Sequence, residues 1–251
     1  MPHIDRRRRT RIVSSTMAAL VLLLAAAAAP VWADDAQDTR QLVDKARLTF
    51  ESFQSDPQME PGLREIVRKA KGVMIYPQIL RGAFLVGGAG GSGVFLVRAK
   101  DGDDWSGPAF YTIGQVSFGL QIGADASEAV VVALTDRGVS ALLNPSAKLG
   151  GNASIAVGPV GAGAEAATAN LSVDLVSYTR NKGLYAGVSI EGAVVATRDH
   201  WNRAYYGKTV TPAEILVERK VSNPQAAELI AAVAGVAGGS KSVPGRSVRA
   251  E

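Results

Sequence analysis

The chain has no cysteine among its 251 residues, and this absence excludes several kinds of protein. There can be no disulfide framework, no thiolate nucleophile and no cysteine to carry a lipid anchor. Histidine is almost as scarce, because His200 is the only one beyond the first 33 residues. Since transition metals in proteins depend on cysteine and histidine ligands, we expect neither a metal site nor a cofactor.

The groupings that carry catalysis are also missing. There is no Gly-x-Ser-x-Gly nucleophile elbow and no Walker A sequence. The lone histidine stands beside Trp201 in a helical pattern, which argues against a Ser-His-Asp enzyme. The paired acids Asp34-Asp35 and Asp103-Asp104 fall in a terminus and a polar loop, where such charges are ordinarily solvated. We therefore expect no catalytic residues and no enzymatic activity.

The first 33 residues have the pattern of a secretory signal peptide. Arginines at positions 6–9 and 11 precede an apolar run from Met17 to Ala29, and small residues at Val31 and Ala33 mark a cleavage site. The pattern predicts cleavage near Ala33 and export to the periplasm or cell envelope. The apolar run is short for a membrane span, but retention as an uncleaved anchor remains an alternative.

The basic character of the whole chain belongs to this leader. Five of the 27 basic residues and one of the 23 acidic residues lie within it, so residues 34–251 hold equal numbers of each sign. A nucleic-acid-binding protein needs a surplus of positive charge on one face. We therefore expect no nucleic-acid partner.

Two amphipathic helices are predicted next. The first covers residues 36–53 and the second covers Pro61–Lys71, with Gly72 as its stop. Lys69 and Lys71 fall in the last turn of the second helix. Cations there complement the helix dipole, and the alternative is that they bind phosphate. The apolar stripes are Leu42, Val43, Ala46, Phe50 and Phe53 in the first helix and Leu63, Ile66, Val67 and Ala70 in the second.

A glycine-rich stretch follows at residues 82–99. Two apolar runs, 83–86 and 94–97, flank a segment with glycines that include Gly88, Gly90 and Gly93. Their spacing matches the dinucleotide-binding fingerprint, but that fingerprint requires a helix after the loop, and here a strand pattern follows. We interpret the segment as a β-turn or bulge between two strands.

Strand patterns continue to about residue 195. They predict a strand pair at 108–113 and 115–124, an apolar strand at 129–134, strands in close backbone approach at 150–168, and a hairpin of 175–179 with 184–195 around Lys182. Asp136 is the predicted N-cap of a helix to Leu143. Short helices are predicted from Asp199, after the Thr211 cap, and at 225–234.

This order of elements predicts an α+β fold. The N-terminal helices would pack on a largely antiparallel, glycine-rich β-sandwich or barrel-like sheet, followed by short C-terminal helices. The short polar turns favour antiparallel neighbours, because parallel strands need long crossovers. Residues 34–235 would form a single domain, and residues 236–251 a mobile tail.

A series of segments resembles the SYLF domain family, over residues 39–218. The segments are, in order, LREIVRKAKGVMIYP, GAFLVGGAGGSGVFLVR, DDWSGPAFYTIG, VSFGLQIGA, KLGGNASIAVGPVGAGAEA, VSYTRNKGLYAGVSIEGAVV and NRAYYG.

The resemblance implies a lipid-binding module. Members attached to SH3 or FYVE modules in yeast and animals bind phosphoinositide-containing membranes through an N-terminal amphipathic helix and a basic surface, and yeast members also bind actin. Here the N-terminal helix is not strongly basic and an export signal precedes it, which argues against actin as a partner. The expected partner is the anionic headgroup of a membrane phospholipid. The alternative is a structural or protein-interaction domain of the periplasm, and the oligomeric state is left open.

A headgroup site is predicted from the placement of cations near glycines. A strand from Gly72 to Tyr76 and a turn at 77–80 would bring Arg81 back beside Lys71. Together with Lys69 and exposed N–H groups of the glycine-rich segment, these cations would hold a phosphate. If they do not, the apolar face of the 38–53 helix is the alternative contact. The candidate site residues are Lys69, Lys71, Arg81, Gly88, Gly90 and Gly93, with Lys148 and Lys182 as secondary candidates.

Overall fold

The computed structural model describes residues 31–84, 86–100, 102, 104–118, 123–161, 172–181 and 190–238. The predicted signal peptide up to residue 30, Lys182 and residues 239–251 lie outside this part of the chain. The helices are α1 Val31–Gln54, α2 Glu60–Arg68, α3 Asp136–Leu143, α4 Asp199–Tyr206, α5 Pro212–Leu216 and α6 Ala227–Ala237, with a 3-10 turn at Pro224–Ala226. The strands are β1 Gly72–Phe84, β2 Val86–Arg98, β3 Trp105–Phe118, β4 Gly123–Ala133, β5 Ser146–Lys148, β6 Ile155–Val157, β7 Leu175–Asn181 and β8 Val194–Thr197.

The eight strands form one sheet in the order β5-β8-β3-β2-β1-β4-β7-β6. Every neighbouring pair is antiparallel except β6 and β7. With two helices before the sheet and short helices after it, the predicted α+β class and the largely antiparallel sheet are confirmed.

The sheet separates two hydrophobic cores. On one face, Val73 and Ile75 of β1 meet α1, α2 and α6, and on the other, Met74 and Tyr76 meet residues from α3, α5 and β8. This two-sided burial explains the near-continuous apolar runs in the central strands. The predicted stripe of α1 is buried in the first core, with Phe50 and Phe53 fully covered. Its apolar face is therefore a packing surface of the folded chain, and the alternative membrane contact placed there is wrong for this fold.

The turn predicted in the glycine-rich segment is wrong, and the bulge given as its alternative lies in β1, opposite Gly93, rather than in the segment itself. Residues 87–93 lie inside β2, paired on both sides with β1 and β3, and the chain reverses between Phe84 and Val86. Two of these glycines mark close backbone approach at a shift of register in β1. A Cβ on Gly91 would lie 2.3 Å from the carbonyl oxygen of Gln78, and one on Gly93 would lie 2.5 Å from the Tyr76 ring.

The predicted turn at 77–80 is also wrong. A bulge near Pro77 shifts the register, and β1 then continues to Phe84. The strand pair predicted at 108–113 and 115–124 is instead one strand, β3, which ends at Phe118. The strand predicted at 129–134 is the second half of β4.

The second half of the sheet differs from the prediction in its pairing. β7 is the strand predicted at 175–179, but it pairs with β4 and β6, whereas β8 pairs with β3 and β5. The predicted hairpin of β7 with residues 194 and 195 is therefore wrong, and residues 182–189 lie outside the described part. Between 150 and 161 only β6 forms, with close approach at Gly158, whose added Cβ would lie 2.3 Å from the Tyr178 ring.

Helix ends follow local capping chemistry. Thr135, rather than Asp136, caps α3, and its hydroxyl accepts a hydrogen bond from the Gly138 N–H. Thr211 forms the predicted cap of α5, within a capping box completed by Glu214. α6 ends at Ala237, two residues inside the predicted tail.

Candidate anion-binding cleft

A cleft of about 1060 Å³ lies at the end of the sheet where β1 begins and β2 ends. Its walls come from four separate parts of the chain, which only the sheet and the packing of α5 on β3 bring together. The lining residues are Lys69, Ala70, Lys71, Val97, Arg98, Ala99, Lys100, Gly102, Asp104, Asp136, Val139, Leu216, Val217 and Arg219.

Cations dominate the charged lining of this cleft. Among the described residues of the lining there are five basic side chains against two carboxylates, Asp104 and Asp136, and Asp101 and Asp103 of the same loop lie outside the described part. A concave surface with a surplus of one charge sign focuses its field and attracts the opposite charge. The cleft is therefore suited to an anion. Its basic residues are Lys69, Lys71, Arg98, Lys100 and Arg219.

The two lysines at the end of α2 make exposed ion pairs. Lys69 Nζ lies 3.0 Å from a Glu65 carboxylate oxygen, and Lys71 Nζ lies 2.6 Å from Asp136 Oδ2. Exposed pairs of this kind contribute only about 0–1 kcal/mol. An incoming anion can therefore compete with either carboxylate at little cost.

The two arginines are held by backbone carbonyl groups. Arg98 donates a hydrogen bond from Nη1 to the Arg68 carbonyl oxygen at 3.0 Å, and Arg219 donates from Nη2 to that of Asp104 at 3.1 Å. The carbonyl oxygen fixes the direction in which each guanidinium points. These contacts place two planar donors, suited to bidentate contact with phosphate, at the rim of the cleft.

Arg219 also has an unusual backbone. Its φ is 55°, and among the described residues it is the one non-glycine residue with a positive φ. Such a conformation is unfavourable for an L-residue with a side chain, and it is held here by the turn that follows α5. In that turn the Lys220 N–H donates to the Glu214 carbonyl oxygen at 2.9 Å.

Asp136 stays ionised within this positive field. The hydrogen bond from Lys71 lowers the pKa of its carboxyl group below the usual value, and the charges of Lys71 and Lys100 act in the same direction. Asp136 is therefore a fixed negative group that competes for Lys71 at neutral pH.

Comparison of the sequence with known proteins identifies its family. The model of the Ysc84 family, described as Las17-binding protein actin regulator, matches residues 114–236. The chain is 36% identical over 182 residues to the SH3 domain-containing protein PJ696.02 of Schizosaccharomyces pombe, which covers 69% of this chain and 42% of that protein. The chain belongs to the Ysc84 (SYLF) family.

Further relatives come from human and budding yeast. The human SH3 domain-containing YSC84-like protein 1 is 36% identical over 60% of this chain and 44% of its own length. The LAS seventeen-binding protein 3 of Saccharomyces cerevisiae is 34% identical over 65% of this chain and 36% of its own. This SYLF chain thus matches less than half the length of each of these three relatives, which are named for domains or binding partners rather than for a reaction.

Among the predicted site residues that the structure describes, the SYLF fold brings only two together. Lys69 and Lys71 lie in the cleft, whereas Arg81 lies ten residues further along β1, about 33 Å away at about 3.3 Å per residue. Gly88 and Gly90 pair with residues near Arg81 at that far end.

The predicted set of glycine N–H groups does not form an anion site. These groups belong to an interior strand with a partner on each side, so the prediction that Arg81, Gly88, Gly90 and Gly93 share one edge with the lysines is wrong. Lys148 is exposed in β5, away from the cleft lining, and Lys182 lies outside the described residues.

Three cleft cations were missed from the sequence. Arg98 and Lys100 follow the last apolar residues of β2. Two basic residues directly after an apolar strand pattern could have been recognised in the sequence as charges at the end of a strand. Arg219 had no such signal, because α5 is placed by tertiary contacts such as the 2.5 Å hydrogen bond from Ser106 Oγ to the Leu216 carbonyl oxygen.

Within the described residues, no helix is long and apolar enough to cross a membrane. The same residues contain no group of three or more acidic or histidine side chains placed to hold a metal ion.

Proposed function

We propose that this SYLF chain is a non-enzymatic module that binds anionic phospholipid headgroups in the basic cleft. The observation that carries the proposal is the excess of basic side chains among the described residues of the cleft lining, five against two carboxylates. We further propose that it acts at the bacterial cell envelope after removal of residues 1–33. Actin is not a partner in that compartment.

The strength of such binding follows from the charge count. A basic residue near an anionic membrane surface contributes about 1 kcal/mol, so a net surplus of three charges supplies about 3 kcal/mol. This alone corresponds to binding weaker than about 1 mM. Several headgroups or a polyvalent headgroup are needed for stable attachment. The interaction falls with ionic strength, because the Debye length is about 10 Å at 0.1 M salt.

A protein-interaction domain is the second candidate. The buried apolar face of α1 favours it, because the helix that would have entered a membrane packs on the sheet instead. The budding-yeast relative is also named for binding another protein.

Vesicle flotation with matched charge variants distinguishes the two. The test variant carries Lys69→Glu, Lys71→Glu and Lys100→Glu, and the control carries Lys45→Glu, Lys148→Glu and Lys208→Glu at exposed positions outside the cleft lining. Both variants change the net charge equally. With vesicles of phosphatidylcholine and phosphatidylglycerol at low salt, we expect the test variant to lose the binding that phosphatidylglycerol adds over pure phosphatidylcholine vesicles, and the control to keep most of it.

Three outcomes would contradict the proposal. Equal loss in both variants would indicate attraction by net charge without a site. Wild-type binding by the test variant would place the headgroup contact outside the cleft, and no flotation of the wild-type protein would favour the protein-interaction candidate. Circular dichroism checks that all variants are folded.

A further inference from the structure

The sheet presents a flat uncharged surface at the end opposite the cleft. In the β ladders Leu80 lies opposite Gly90, which lies opposite Gly114, and Gly82 lies opposite Gly88, which lies opposite Val116. Directly paired residues point to the same face of a sheet. All six are exposed, Leu80 by 56% and Val116 by 68%. We name this surface the outer sheet face, made of Leu80, Gly82, Gly88, Gly90, Gly114 and Val116.

The nearest charged side chains on these strands belong to the opposite face. Arg81 and Asp125 are paired in register. Arg81 lies between Leu80 and Gly82 in β1, and Asp125 lies between their two partners in β4, so both side chains point to the other face. The outer sheet face itself contains no charged or hydrogen-bonding side chain. It is therefore suited to an apolar contact, and the polar row Gln78, Ser92 and Thr112, where Arg198 donates to Ser92 Oγ at 2.6 Å, borders it on the same face.

The packing of the described residues does not require these glycines. A Cβ added to Gly82 or Gly114 would meet nothing within 4 Å, and one on Gly88 or Gly90 would meet only a backbone oxygen at 4.0 or 3.7 Å. Gly91, on the other face, is different, because its Cβ would collide with backbone at 2.3 Å. Glycine weakens a strand and often marks a place where something approaches the backbone closely. Four exposed glycines that the described packing does not require therefore point to a partner that lies flat on the strands.

The size of the surface selects the partner. Three strands spaced about 4.8 Å apart, each contributing about five residues of about 3.3 Å, cover roughly 200 Å². A stable protein interface needs about 800 Å² from each partner, so a second copy or another protein would find too little area. Hydrocarbon has no hydrogen-bonding groups that must be satisfied. Contact with it also requires no minimum area, because each buried patch contributes in proportion to its area.

We propose that the outer sheet face contacts the acyl chains of membrane lipids. The cleft would bind the phosphate of the headgroup, and this face would bind the hydrocarbon. It deepens the proposed membrane function, but it depends on none of the cleft cations. It also lies about 30 Å from them along the strands. Its binding should therefore persist on neutral vesicles and at high salt.

Site-directed labelling tests this contact cleanly, because the chain has no cysteine of its own. Leu80→Cys and Val116→Cys are labelled separately with an environment-sensitive nitrobenzoxadiazole dye. The matched control is Leu48→Cys on α1, an apolar residue that is 55% exposed. With vesicles of pure phosphatidylcholine we expect a blue shift and a several-fold rise in emission at 80 and 116, with quenching by nitroxide-labelled acyl chains. Position 48 should show neither.

Three outcomes would overturn the inference. Labels at 80 and 116 that do not respond to vesicles would show that the face does not meet hydrocarbon. Labels that are already shielded without vesicles would show that the face is covered by protein. Shielding that does not depend on protein concentration would indicate cover by the same chain, and shielding that rises with concentration would indicate a second copy. An equal response at position 48 would indicate non-specific adsorption.

A combined variant separates this inference from the proposed function. Adding the Lys69→Glu, Lys71→Glu and Lys100→Glu changes to the Val116→Cys protein should leave the dye response on neutral vesicles unchanged. Loss of the response in that protein would show that the two contacts are one site. Leu80→Glu with Val116→Glu should abolish flotation on neutral vesicles at an unchanged melting temperature, and retained flotation would contradict the inference.

Discussion

Asp174 is the residue whose replacement should destabilise the fold most clearly. Its carboxylate is only 4% exposed and accepts hydrogen bonds from Thr135 Oγ1 at 2.6 Å, from Ser154 N and Oγ at 2.9 and 2.8 Å, and from Arg137 Nη2 at 2.5 Å. These bonds join the start of α3 and the residue before β6 to the residue before β7. One side chain therefore fixes three elements to each other.

We expect Asp174→Ala to lower the free energy of unfolding by about 3–5 kcal/mol. Hydrogen bonds to a charged group contribute about 1.5–3 kcal/mol each. The energies of bonds that share one carboxylate are not additive, so we take the cost of breaking a buried charged network, about 3–5 kcal/mol. At about 2–4 °C per kcal/mol for a domain of this size, the melting temperature should fall by roughly 6–20 °C. Urea denaturation and thermal circular dichroism measure both quantities.

The matched control is Arg137→Ala. Arg137 is 71% exposed, so solvent screens its pairing with Asp174 and its removal should cost far less. The reasoning is refuted if Asp174→Ala costs under about 1 kcal/mol, or if the two variants are equally destabilised.

The same carboxylate predicts a dependence on pH. The hydrogen bond from Arg137 holds the pKa of Asp174 well below its usual range, against the opposing effect of burial and with help from Thr135 and Ser154. A depressed pKa stabilises the folded state above the pKa of the unfolded chain, about 3.9 for aspartate, and that stabilisation is lost as the pH falls below this value. Between about pH 5 and about pH 2, the free energy of unfolding of the wild-type protein should therefore fall by more than that of Asp174→Ala. Urea denaturation in buffers across this range measures both.

Three further substitutions test separate parts of the fold. Arg180→Ala should cost about 3–5 kcal/mol in urea denaturation, because the 13%-exposed guanidinium pairs with Glu128 at 2.5 Å and lies over the Phe53 ring at 4.7 Å, and an unchanged midpoint would contradict this role. Thr211→Ala should cost about 1 kcal/mol by the same measurement, through loss of the capping box of α5; no change would mean that the cap is replaceable by water. Gly93→Ala should destabilise the fold by about 1–3 kcal/mol, because its Cβ would lie 2.6 Å from the Ile75 carbonyl oxygen. Gly114→Ala should be neutral or stabilising, because its Cβ would meet nothing within 4 Å. Equal melting temperatures for the two variants would show that the backbone at Gly93 adjusts without cost.

The cleft gives a clear example of what sequence reasoning reaches. Lys69 and Lys71 were identified because helix periodicity and a following glycine place them at a helix end, and that information is local. Arg219 was not identified, since its position depends on α5 packing against β3 more than 100 residues away. Cations that meet through tertiary contacts leave no periodic signal in the chain.

The amino-acid sequence by itself determined the α+β class, the buried stripe of α1 and the scarcity of catalytic groups, because periodicity, capping residues and composition act over a few residues. Tertiary structure alone decided where β1 goes after Pro77. A glycine suits a tight turn and a close backbone approach equally well, and strands buried on both faces lack the alternation that would fix register. The ladders with β2 and β4 carry the strand onward, and this separates Arg81 from Lys71 and places exposed glycines beside Leu80 and Val116.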